Sequence, residues 1–156
     1  MKCIWHYTFP RVQLGIVEEN GFITDIFFGG KARENLPQER ETPLIKRAAG
    51  QLSEYFDGKR TRFDLPILPA GTVFQKKVWD AVSAIPYGET RSYKEIAIQA
   101  GSFLAARAVG MANNRNPIVI VIPCHRVIGH NGALTGYGGG LDVKAYLLEL
   151  EKRPDV

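Results

Sequence analysis

The chain has 156 residues, 45% hydrophobic and 23% charged, with 20 Lys/Arg against 16 Asp/Glu for a net charge of +4. Those fractions are ordinary for a globular domain and argue against disorder, and no apolar run approaches the ~20 residues needed to cross a bilayer. Met1 to Tyr7 lacks the apolar core of a secretory signal, and two cysteines far apart make no disulfide framework, so a reducing, cytoplasmic setting is expected. The charge is uneven, with seven Lys/Arg against three acids over residues 69–141. Such a stretch suits phosphate neutralisation and equally a solvated surface.

Residues 2–8, 12–18 and 21–28 are rich in Ile, Val, Phe, Tyr and Trp, with Pro10 and Asn20-Gly21 between them. Asn-Gly supplies the positive φ values of a tight hairpin, so a small antiparallel meander is expected. Leu44, Ile45, Ala48, Ala49, Leu52, Tyr55 and Phe56 follow helical spacing, and Gly58 ends that helix. Leu65 to Gly71 fits neither helix nor central strand and marks a domain boundary, giving units at 1–68 and 69–156. Thr72 with Gln75 forms a capping box and opens a helix with Phe74, Val78, Trp79 and Val82 on one face. Pro86-Tyr87-Gly88 stops it. Ser92 with Glu95 opens a second helix, Tyr93 to Ala100, and after Gly101 a third runs from Phe103, capped by Ser102, to about Asn113.

Two short helices about a Gly turn fit a helix-turn-helix and also an ordinary helical hairpin. The second is nearly bare, with Ala105, Ala106, Ala108, Gly110 and Ala112 around Arg107. Sequence readout in a major groove needs more side chains than that. A bare face permits close approach to DNA with one arginine free to project, and a buried Ala-rich helix would look the same.

Ile118 to Ile122 reads as a buried strand that Pro123 ends, leaving Cys124 at its rim. A thiol is a few per cent thiolate at neutral pH, so a nucleophilic Cys124 needs a base. His125 is adjacent, but neighbours on a strand face opposite ways, so contact needs a turn or a bridging water. A buried structural Cys beside a satisfied His is the competing reading. Gly129 to Leu134 suggests a turn or wing. Thr135 to Gly140 is Gly-rich without the Lys and Ser/Thr of a phosphate loop. Leu141 to Glu151 reads as a closing helix with Leu141, Ala145, Leu148 and Leu150 inward and Glu151 within reach of a histidine.

Pro123-Cys124-His125-Arg126-Val127, the run Ala105 to Gly110 with Asn116-Pro117, and Tyr137 to Leu141 together resemble the O6-alkylguanine-DNA alkyltransferases (methylated-DNA–protein-cysteine methyltransferases). The match is continuous over roughly residues 72–152, while residues 1–68 fit the family's variable N-terminal region in outline. The resemblance implies an α+β protein with a ribonuclease-H-like N-terminal sheet and helix and a C-terminal winged helix-turn-helix. It implies repair of double-stranded DNA by irreversible, stoichiometric alkyl transfer from O6-alkylguanine, with O4-alkylthymine open, by a monomer with no membrane association and no metal or nucleotide cofactor. Cys124 would accept the alkyl group, His125 would activate it through a water, Glu151 would orient His125, and Asn116 would tie the helix pair to the active-site strand. Arg107 would fill the gap left by the extruded base, with Ala106 and Arg115 on the DNA side. Tyr93 would press on a phosphate and help protonate the departing base. Pro123, Val127, Tyr137 and Gly138 would line the pocket.

The family often has Pro where Phe103 stands, which softens the expected helix start. Met111 to Arg115 is more polar than the family pattern, which bears on pocket size. Cys3 and His6 have suggestive spacing, but zinc wants four ligands and no further ones are near. A non-catalytic reader of damaged DNA would lack Cys124. A Cys-His-Glu hydrolase would place nucleophile and base far apart in sequence and provide an oxyanion hole at a helix N-terminus, whereas His125 is adjacent and no helix is expected directly after Cys124.

Overall fold

The computed structural model describes residues 1–29, 37–101, 106–129, 132, 137 and 139–152. The expected Ser102 cap, the helix start at Phe103, Ala105, most of the Gly129–Leu134 turn and half of the Thr135–Gly140 run, Gly138 included, lie outside the described residues. Strands β1 (Lys2–Phe9), β2 (Val12–Glu19) and β3 (Phe22–Phe28) form the expected antiparallel meander. Asn20 and Gly21 supply φ of 52° and 85° at its second turn. Two residues the periodicity did not flag, β4 (Gln38–Glu39), pair in parallel with β1, giving the order β3-β2-β1-β4.

Helix α1 (Pro43–Phe56) starts with the Thr42 hydroxyl accepting from Ile45 N–H at 3.1 Å and Pro43 at the head, where its missing N–H costs nothing. It buries Ile45, Ala48, Leu52 and Tyr55. Both predicted capping boxes are present, opening α2 (Val73–Ser83) at Thr72/Gln75 and α3 (Tyr93–Gln99) at Ser92/Glu95. Helix α4 (Ala106–Asn114) packs on both, and the Trp79 indole N–H donates to Ala112 O at 2.9 Å. Strands β5 (Arg91–Ser92) and β6 (Val127–Ile128) pair in parallel, and α5 (Leu141–Lys152) ends the described chain. The fold is α+β, and one buried cluster joins Leu14 and Ile26 of the sheet through Tyr55 to Cys124 and Leu150.

The outer edge of β3 is covered by two segments from later in the chain. Ile23 bonds Pro66 O and Leu68 N–H at 2.8 and 2.9 Å, and Ile26 bonds Pro117 O and Val119 N–H at 2.9 and 3.0 Å. An unpaired edge is thereby removed, and the approach to Cys124 is fastened to the N-terminal sheet.

Two expectations fail here. Ile118 to Ile122 is buried as predicted but is a folded-back loop, not a strand. Val121 N–H returns to Val119 O at 2.8 Å and Ile122 N–H to Ile118 O at 3.0 Å, with Ile120 at φ 72°. A β-branched residue there is an outlier that only surrounding structure maintains. The Asn116 side chain does so, accepting from Ile118 N–H at 2.9 Å and donating to Ile122 O at 2.7 Å. On α5 the inward residues are Lys144, Leu147, Leu150 and Glu151, whereas Leu141 and Ala145 are exposed and Leu148 is half-buried. Two buried polar anchors, not an apolar stripe, set that helix's rotation.

Candidate active site

Pro123 (φ −81°, ψ 63°) adopts an inverse γ-turn that bonds Cys124 N–H to Ile122 O at 2.8 Å. A one-turn 3-10 helix, Cys124–Arg126, then begins, which corrects the expectation that no helix follows the cysteine. Three of the amides of that turn are already taken. The Cys124 amide is held by Ile122 O, Arg126 N–H by Pro123 O at 2.9 Å, and Val127 N–H by Cys124 O. Asn113 Nδ2 donates to Cys124 O at 3.1 Å from α4, so helix and turn hold the cysteine together.

The thiol is 3% exposed and faces a cavity of about 210 Å³ walled by Phe27 and Phe28 of β3, Asn113, Asn116, Val119 and Tyr137. The N-terminal sheet therefore supplies part of the wall. Burial pushes the Cys124 thiol above its ordinary pKa, while the polar side chains of Asn116 and Tyr137 and the charge of Lys144 oppose that push. Tyr137 is itself driven well up, first by burial and then by the neighbouring sulfur, so it stays protonated.

His125 is fully buried, and Nε2 lies 2.6 Å from Glu151 Oε2. Nδ1 is buried with no hydrogen-bond partner among the described residues. Burial lowers the His125 pKa against the opposing pull of Glu151. With Nε2–H donating to the carboxylate, the neutral ring presents the Nδ1 lone pair inward.

Glu151 is the most heavily bonded group. Arg126 clamps it through Nε–Oε1 at 2.8 Å and Nη2–Oε2 at 3.1 Å, and the Tyr55 hydroxyl donates to Oε2 at 2.5 Å. Burial alone would raise its pKa, but the donors from His125 and Arg126 prevail and hold it at about 2. Arg126 also donates to Ile85 O at 2.8 Å, and its guanidinium sits 5.6 Å from the Tyr87 ring centre.

Lys144, fully buried, donates to Val127 O at 2.6 Å and lies 6.0 Å from the ring centres of both Tyr93 and Tyr137. The carbonyl of Val127, one of the residues expected to line the pocket, thus already accepts one hydrogen bond. Burial lowers the Lys144 pKa and the nearby sulfur opposes that shift. The structure brings together Cys124, His125, Glu151, Asn116, Tyr137 and, beside Lys144, Tyr93; Pro123 and Val127, expected to line the pocket, are not among the walls of the Cys124 cavity, and Pro123 instead lines a separate one with Tyr87 and Arg126. Arg107 and Arg115 are exposed at α4 and just beyond it, and Ala106 is half-buried. Lys144, Tyr55, Arg126 and Asn113 were not singled out from sequence. Lys144 had a usable signal: it lies seven residues before Glu151 on one helix, so an inward Glu151 brings Lys144 inward two turns away. Among the described residues no three His, Cys, Asp or Glu side chains cluster to hold a metal, and no helix is long and apolar enough to cross a membrane.

The two depressed pKa values act in the same direction on stability. An unfolded His125 takes up a proton below its ordinary 6.5 while the buried ring resists, and an unfolded Glu151 does so below 4.5 while the folded group holds out to about 2. Unfolding free energy is expected to be level near neutrality, to fall below pH 6.5, and to fall again from 4.5 toward 2. Glu151→Gln should lose about 3–5 kcal/mol at pH 7 by stranding Arg126, and should flatten the lower limb. Urea unfolding at several pH values measures both.

Comparison with known proteins agrees with this geometry. The family described as "6-O-methylguanine DNA methyltransferase, DNA binding domain" matches residues 73–153. A methylated-DNA–protein-cysteine methyltransferase of Methanosarcina barkeri is 56% identical over 128 residues, 81% of each chain. The constitutive one of Bacillus subtilis is 47% identical over 157 residues, 94% of this chain and 95% of its own. Among solved structures, Mycobacterium tuberculosis OGT in complex with DNA superposes with a TM-score of 0.89 at 45% identity, covering 96% and 92% of the two chains. With a family match over half its length and relatives this similar across nearly all of it, the chain belongs to the methylated-DNA–protein-cysteine methyltransferases.

Proposed function

We propose that the protein repairs duplex DNA by moving the alkyl group of O6-alkylguanine irreversibly onto its own Cys124. The observation that carries this reading is the surrounding of one buried thiol: a cationic Lys144, the hydroxyl of Tyr137, and a neighbouring imidazole whose inward nitrogen is unpartnered. In the proposed path a water relays the Cys124 proton to His125 Nδ1, and Glu151 with Arg126 stabilises the resulting imidazolium. The sulfur attacks the alkyl carbon in line, a C–S bond forms, and the C–O6 bond breaks with its electron pair leaving on the guanine. Tyr93 helps supply the proton that neutralises the departing base.

A stacked guanine keeps the reacting carbon out of reach of a buried sulfur, so the nucleotide must leave the duplex at a cost of a few kcal/mol, least for a badly paired base. In this reading residues 69–156 form the winged helix-turn-helix that carries the site, with exposed Arg107 filling the vacated stack and Ala106 and Arg115 beside the DNA. Residues 1–68, the ribonuclease-H-like part, cover it. Tyr137 shapes the pocket with Asn113, Asn116 and Val119, and O4-alkylthymine presents a comparable leaving oxygen. The thioether formed is not a leaving group, and the second cysteine, Cys3, is buried in β1, so a monomer acts once.

Incubation with DNA bearing labelled O6-methylguanine, followed by peptide mapping, is expected to place one label per chain on the Cys124 peptide. Label elsewhere, or release of methanol, overturns the reading. Arg107→Ala is expected to slow repair of duplex DNA at least tenfold, corresponding to roughly 1.4 kcal/mol, while reactivity toward free O6-benzylguanine stays near wild type. Equal loss on both substrates would assign Arg107 to the pocket.

A further inference from the structure

Tyr55 lies on α1, outside the stretch that matches the family's DNA-binding domain, yet its hydroxyl ends on the active-site carboxylate. The side chain is fully buried, and its ring packs against Phe56, Phe63 and Tyr87 at centroid distances of 5.5, 5.7 and 6.3 Å. Its donor bond of 2.5 Å goes to Oε2, the same oxygen that faces His125 Nε2 at 2.6 Å, and the hydroxyl oxygen is itself 3.5 Å from Nε2. Burial first, and the Glu151 charge second, hold the phenol protonated, so it remains a donor at any pH the fold survives.

We propose that Tyr55 is a positioning residue through which the N-terminal region sets how basic His125 is. A donor on Oε2 draws charge from the carboxylate and weakens its hold on the imidazole proton. The ring then stays neutral, with Nδ1 open to the proton of Cys124. Arg126 acts on the same carboxylate from the 3-10 turn, and the Gly88 amide approaches Oε1 at 3.5 Å from the loop after α2. Arg126, and Lys144 from α5, disfavour a positive charge on the ring. Tyr87 stacks over Arg126, and Cys124 and Tyr137 complete the titratable surroundings. Tyr55 is the member of this set contributed by the sheet-and-helix half of the chain. The inference rests on Cys124 being the alkyl acceptor.

The test compares Tyr55→Phe with wild type in two ways: the pH dependence of transfer from methylated DNA, and the pH midpoint of His125 by 15N NMR of histidine-labelled protein. With one donor removed the carboxylate becomes a stronger base and the imidazolium is favoured. The acid limb of the rate and the His125 midpoint should both move up by roughly half a unit or more, with the rate on the alkaline side retained. A purely structural tyrosine would lower the rate at all pH without moving either midpoint, and coincident profiles, including flat ones, overturn the proposal. Site-specific replacement of Tyr55 by a fluorotyrosine, a stronger donor of nearly the same size, should move both midpoints down and carries the test if Tyr55→Phe fails to fold. If the NMR midpoints move as stated while no label reaches Cys124 in wild type, the proposed function fails and the tuning of His125 stands.

Discussion

A carboxylate in the interior of this protein holds its parts in register. Glu151 accepts hydrogen bonds from Tyr55 of α1 and from His125 and Arg126 of the 3-10 turn, while itself standing on α5. A buried anion is tolerable only when every donor stays in place, because removing one strands charge in a medium that cannot solvate it. The sheet-and-helix region, the cysteine turn and the last helix therefore cannot shift independently. The same bonds that satisfy the anion also fix the tautomer and tilt of His125, so stability and reactivity draw on one set of contacts.

The second constraint is the loop that delivers Cys124. Asn116 replaces a strand ladder with two side-chain bonds, Ile120 holds a backbone conformation its side chain disfavours, and Pro123 turns the chain so that the cysteine begins a helical turn. Fastening Pro117 and Val119 to the edge of β3 ties that loop to the N-terminal sheet. The thiol consequently meets Asn116, Tyr137 and Lys144 at fixed positions. Burial keeps it protonated at rest, and those neighbours favour the thiolate when its proton is drawn off.

Much of this was legible in the sequence where local chemistry decides. Asn20-Gly21 and the capping boxes at Thr72/Gln75 and Ser92/Glu95 each satisfy their backbone groups within a few residues. The Cys124, His125 and Glu151 set was readable as a candidate constellation because two members are adjacent and the third ends an amphipathic helix. Ile118 to Ile122 misled because five apolar residues in a row specify burial but not backbone path, and the deciding bonds come from the Asn116 side chain. The face of α5 misled because it is chosen by Lys144 and Glu151, which hydrophobic periodicity counts as outward. Tyr55 was placed correctly on the inner face of α1, but its hydroxyl finds a partner 96 residues away, which no local pattern encodes.

In the proposed function the Glu151 network presents His125 to Cys124 as a neutral base with its inner nitrogen bare. The tautomer of His125 near neutral pH, read by neutron diffraction of the resting protein, tests this most directly. A single proton is expected on Nε2, directed at Glu151, with Nδ1 unprotonated and the Cys124 sulfur still carrying its hydrogen. A proton on Nδ1, whether alone or together with one on Nε2, would contradict it.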